Sequence, residues 1–165
     1  MKTPTPKLTP SEEAYVHYAE CIESLNRAWQ ILTLLRAIDR KTAIHAAAFR
    51  FALIVYAKPY TRSDGTFKHG RDAYKLPPPN LPAELLALHQ QILDLRDQVL
   101  AHTDLTLKEA QLYITSHAGH SLVMVGSSSL PTFPDGEEVI KLIEYTLDKM
   151  YVEIERLKNT LKPNS

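Results

Sequence analysis

Apolar residues recur at steps of three and four along most of the chain, the period of a helix with one buried face. Tyr15, Tyr18, Ile22, Leu25, Trp29, Leu32 and Leu35 mark the first such face. Ahead of it, Thr9-Pro10-Ser11-Glu12 supplies a capping residue, a proline for the first helical position and an acid that completes a capping box. A helix is therefore predicted from there to about Ile38. The second pattern, Thr42 to Ala57, is apolar nearly all round, interrupted only by His45 and Arg50. Such a helix is buried on most sides, or is covered in part by another subunit. His45 and Arg50 fit either a satisfied edge histidine with a carboxylate-paired arginine, or a functional role.

Leu85, Leu88, Ile92, Leu95 and Val99 define a third helix, with Asn80 placed to cap it and Pro82 in its first turn. A fourth begins near Pro134-Asp135-Gly136-Glu137, with acids where the helix dipole favours them. It carries a stripe of Ile143, Leu147, Met150, Ile154, Leu157 and Leu161 and ends near Lys162-Pro163. Between these two helices, Gln111–Thr115 and His120–Val125 suit two short strands around a turn at Ser116-His117-Ala118-Gly119. The expected fold is mainly α: an antiparallel four-helix bundle with a small β-hairpin before the last helix. Residues 1–8, rich in Pro and Thr, predict a disordered tail, and residues 9–162 a single domain.

Length and composition agree: 165 residues, 44% hydrophobic and 23% charged, suit one domain with a real core. No apolar run is long enough to span a bilayer, and the first residues lack the hydrophobic segment of a signal peptide. The single cysteine, Cys21, allows no internal disulfide and fits a cytoplasmic location. The net charge of zero argues against a general nucleic-acid sponge, yet the charge is unevenly spread. Residues 58–80 carry five Lys or Arg against two Asp, whereas residues 81–165 carry seven against twelve acids. In that long basic connection Lys58, Arg62, Lys68, Arg71 and Lys75 mingle with Tyr56, Tyr60, Phe67 and Tyr74. Cations that track phosphates beside rings that stack on bases suit single-stranded RNA. A solvated loop whose aromatic residues pin it to the helices is the competing reading. His117 and His120 have a metal-compatible spacing, but with no third ligand beside them they read as turn residues.

The chemistry concentrates at the end of the third helix, in Leu95-Arg96-Asp97-Gln98-Val99-Leu100-Ala101-His102. His102 continues the buried series, while Arg96 lies on an adjacent row with Leu86, His89, Leu93 and Leu100. Charges in so apolar a setting need partners or a task, because unpaired buried charge is expensive. Arg96-Asp97 followed by His102 resembles the R-(N/D/H)-x4–6-H motif of the HEPN superfamily, and the surrounding phrase looks like its abortive-infection, AbiU-like branch. The resemblance implies a helical bundle that pairs as a homodimer, bringing two Arg/His motifs together to cut RNA with no metal or other cofactor. Arg96 and His102 would carry the catalytic roles, and Asp97 the polar position between them. It also implies a place in phage defence or a toxin–antitoxin pair, with a cognate inhibitor protein as partner.

Histidine titrates near neutrality and can pass protons, and arginine stabilises charge on phosphoryl oxygens. On an ideal helix, residues six apart point about 120° from each other, so Arg96 and His102 serve one site only if the helix ends first or the dimer joins them. Several toxin members carry a tyrosine two residues after the histidine, where this chain has Asp104. A noncatalytic HEPN-like dimeric scaffold or binding module stays open as the alternative, with His102 on the helix C-terminal carbonyls and Arg96 bridging helices.

Overall fold

The computed structural model describes residues 8–97, 110–117, 120–127 and 132–161. The predicted tail up to Lys7, as well as His102 and the residues around it, lie outside the described residues. Helices α1 (Pro10–Leu35), α2 (Ala43–Ala57), α3 (Ala83–Leu95) and α4 (Gly136–Lys158) make the fold mainly helical. Strands β1 (Ala110–His117) and β2 (His120–Ser127) pair antiparallel, with His117 opposite His120 in the register.

The start of α1 follows its local chemistry. The Thr9 side chain accepts from the Glu12 N–H, and the Glu12 carboxylate accepts from the Thr9 N–H at 2.7 Å. The helix stops at Leu35, short of Ile38, and tight turns carry the chain through Arg36 to Ile38. Thr42 caps α2 by accepting from the His45 N–H. Asn80 does not cap α3. Pro82 occupies the cap position in extended conformation with no side-chain bond, and the Asn80 carbonyl instead accepts from Lys149 Nζ on α4. Asn80 is simply too far upstream once the chain leaves Pro82 extended. Asp135 caps α4, with Glu137 and Glu138 in its first turn.

The core lies where α1 packs against α2 and α4, with α3 completing it. Cys21, Ile22, Leu25, Ala28, Leu32 and Leu35 of α1 meet Ala52, Leu53 and Tyr56 of α2 and Val139, Leu142, Ile143 and Leu147 of α4. Burying a side chain of this size contributes about 1.5–3 kcal/mol. Helices α1 and α4 run antiparallel, since Asn26 meets Tyr151, Trp29 meets Glu144 and Arg36 meets Glu137. From α3, Leu88, Ile92 and Leu95 enter the same core.

The apolar second helix is buried on one side only. Ala52, Leu53, Val55, Tyr56 and Ala57 are inside, whereas Ile44 is 71% and Phe51 51% exposed. With Ala47 between them, these residues share a helical face open to solvent.

The long connection after α2 is ordered. A 3-10 turn at Lys58–Tyr60 carries Pro59, Ser63 and Tyr74 exchange backbone hydrogen bonds, and a second 3-10 turn spans Gly70–Asp72. The Leu76 N–H donates to the Pro59 carbonyl at 2.9 Å, so the loop closes where it begins. Glu13 of α1 fastens it: its carboxylate accepts from Thr66 N–H, Phe67 N–H and Tyr74 Oη at 2.7–3.0 Å. Burial pushes the Glu13 carboxyl up, but those donors outweigh it and hold the carboxyl below its ordinary value. A Cβ at Gly65 would come within 2.5 Å of this carboxylate, so a glycine is needed there.

Candidate nucleic-acid interface

Regular α-helical winding in α3 ends at Leu95, and Arg96 and Asp97 continue in a wider, π-type turn. Such turns change the direction in which successive side chains project. Arg96 keeps backbone bonds to the Ile92 and Leu93 carbonyls. Its side chain is one-third exposed and forms an ion pair with Asp97 at 2.5 Å. The polar pair therefore sits at the rim of the bundle, and the apolar row beside it is only partly inside: Leu93 is half-buried and Leu86 exposed.

Arg96 faces a cavity of about 270 Å³ whose walls also include Arg27 and Ser24 of α1, Phe51 and Val55 of α2, and Lys58 and Thr61 just beyond. Three cations thus converge from three segments. Arg27 has a loose surface pair with Glu23 at 3.7 Å, and Lys58 has no ion pair among the described residues. Arginine forks and a lysine around one hollow, with an exposed ring beside them, fit a phosphate next to a base. The sequence marked Arg96 and Lys58 but missed Arg27, Ser24, Phe51 and Thr61. Only an i,i+3 relation between Ser24 and Arg27, facing the second helix, could have hinted at them.

No protein family, curated protein or solved structure matches the chain.

The loop divides its residues differently from the sequence reading. Lys58, Arg62, Lys68, Arg71 and Lys75 are all exposed. Lys68 lies over the Tyr74 ring at 5.1 Å, while Arg62, Arg71 and Lys75 make no ion pair among the described residues. Of the four interleaved aromatic residues, however, Tyr56, Tyr60 and Tyr74 are buried and only Phe67 is exposed. Their rings hold the loop to the helices, leaving Phe67 as the one exposed ring of the four.

His89 is the other histidine of α3 and is 1% exposed. Its Nδ1 lies 2.7 Å from Tyr56 Oη, and the Tyr60 ring packs edge-on against it at 4.5 Å. Burial pushes its pKa down, so it is a neutral, satisfied core histidine. Near the loop, Cys21 Sγ lies 3.7 Å from His17 Nε2, but burial pushes the thiol up to about 11, the wrong direction for a nucleophile. Among the described residues no three His, Cys, Asp or Glu side chains stand together to hold a metal ion, and no helix is long and apolar enough to cross a membrane.

Proposed function

We propose that the chain is a metal-independent endoribonuclease of HEPN type that acts as a homodimer. The observation that supports this most is the meeting of Arg96 with Arg27 and Lys58 around one hollow, continuous through Lys58 with the basic loop. A single strand whose phosphates follow Arg62, Arg71 and Lys75 would deliver a scissile phosphate to Arg96. There the ribose 2′-hydroxyl attacks the adjacent phosphorus and the 5′-oxygen leaves, giving a 2′,3′-cyclic phosphate and a 5′-hydroxyl. Arg96 stabilises the charge that grows on the phosphoryl oxygens, and Asp97 orients its guanidinium. His102 takes or returns the proton. The open face of α2 around Ile44 and Ala47 supplies an apolar surface for the second copy, with Phe51 left to the Arg96 hollow. A role in abortive infection or a toxin–antitoxin pair, held in check by an inhibitor protein, follows from the same reading.

The deciding experiment is RNA cleavage in EDTA by wild type and His102→Ala. Cleavage lost in the variant, with cyclic-phosphate ends in the wild-type products, is expected; equal cleavage by both removes His102 from the mechanism. The ion pair of Arg96 with Asp97 favours a second reading, a noncatalytic dimeric binding module, because a guanidinium already matched to a carboxylate is less available to substrate. In that case RNA binds and no product forms.

A further inference from the structure

A cavity of about 520 Å³ lies away from Arg96, where α1 ends and α2 and α4 begin. Its size is that of a small-molecule site. Leu32 and Leu35 line it together with Phe49 and Phe133, whose rings meet edge-on at 6.3 Å. Around this apolar lining stand three arginines. Arg36 is held in a two-bond fork by Glu137, and Arg40 reaches Asp135 only at 3.9 Å. Arg50 has no carboxylate partner among the described residues and lies over the Phe133 ring at 5.5 Å. The N-terminal end of α2 adds partial positive charge at the same place, while that of α4 is already met by Asp135 and Glu137.

We propose that this cavity binds a nucleoside phosphate, with the base against Phe49 and Phe133 and the phosphate on Arg50 and Arg40. Two apolar rings set edge-to-face beside guanidinium forks match a flat base, stacked on one ring and edged by the other, joined to a group with several acceptor oxygens. One weakly held and one unpaired arginine leave donors for that group, whereas the Arg36–Glu137 fork is already satisfied and serves as frame. The inference is independent of RNA cleavage, since the site shares no residue with the Arg96 hollow.

Titration calorimetry on the full chain at low salt tests it, using AMP, GMP, CMP and UMP, the matching nucleosides, and inorganic phosphate. At least one monophosphate binds, and its nucleoside and phosphate alone each bind at least about tenfold more weakly. Arg50→Gln weakens the monophosphate about tenfold without lowering the melting temperature, because Arg50 is exposed. Phe133→Ala weakens monophosphate and nucleoside alike. Arg156→Gln, which lines neither hollow, leaves binding unchanged. The proposal is overturned if no monophosphate binds, if phosphate binds as tightly as the nucleotide, or if Arg50→Gln has no effect. Should Phe133→Ala fail to fold, Arg50→Gln decides alone.

Discussion

If the Arg96 hollow grips RNA through Arg27, Lys58 and Arg96, removing one cation must change the salt dependence by a calculable amount. For single strands the logarithm of affinity falls by about 0.7 per phosphate contact for each tenfold rise in salt. Three contacts give a slope of about −2.1, so raising salt from about 50 to 200 mM weakens binding about 18-fold. Lys58→Gln leaves two contacts, a slope of about −1.4 and a loss of about sevenfold over the same range. Cations of the loop steepen both slopes equally, so the difference of about 0.7 is the quantity to test. Fluorescence anisotropy with a labelled single-stranded RNA, titrated at four salt concentrations, measures it directly. Lys58 is exposed and has no ion pair among the described residues, so the fold should not register the change. A variant that binds more weakly with an unchanged slope would show that Lys58 acts through something other than a phosphate. Unchanged affinity and slope would remove it from the interface.

Other predictions concern the loop, the dimer and the core. The triple change Arg62→Gln, Lys68→Gln and Arg71→Gln should weaken RNA binding and flatten the salt slope by about 1.4–2.1, the smaller figure applying if Lys68 stays on the Tyr74 ring; unaltered binding excludes the loop. Glu13→Ala releases Thr66, Phe67 and Tyr74, so limited proteolysis within residues 62–75 should accelerate about tenfold while helical circular dichroism is retained. Because the Glu13 carboxyl is held below its ordinary value, its grip is complete above the unfolded pKa near 4.5 and is lost as pH falls further. If two copies pair through the open face of α2, Ile44→Glu should convert the dimer to a monomer by light scattering, and a dimer of undiminished affinity would move the interface off α2. His89 and His17 both have pKa values lowered by burial, so the unfolded chain binds more protons below about pH 6.5. Stability should therefore fall as the pH is lowered from about 7.5 to 5.5. A His89→Gln variant with the same pH dependence as wild type would locate the effect elsewhere.

The helical content was readable because it rests on local signals: the Thr9 capping box, the three-and-four spacing, and the acids at the start of α4. What escaped were features set by tertiary packing. Tyr56, Tyr60 and Tyr74 look like a stacking surface when written in order beside lysines and arginines. Folding places them under the loop, Tyr56 against His89 and Tyr74 on Glu13. The helix apolar on all sides in sequence has Ile44 and Phe51 outside because only one side of it meets α1. Arg27 drew no attention in sequence, since nothing in its neighbours reveals that α2 and the end of α3 approach it. Asn80 was misassigned as a cap because Pro82, with its extended backbone, starts the helix two residues later.

The hydrogen bond from Leu76 to Pro59 has a consequence for how such a protein can change over time. Because the chain leaves and re-enters the bundle at one point, the helices hold the segment between through Glu13 and His17 of α1 rather than through its length. Length and charge in the segment from Thr61 to Lys75 can therefore vary while the core stays the same, provided Tyr74 and donors for Glu13 are kept. A variant with charges on that segment exchanged but Thr66, Phe67 and Tyr74 kept should retain the bundle, so a single scaffold could be refitted for different strands by altering one closed loop.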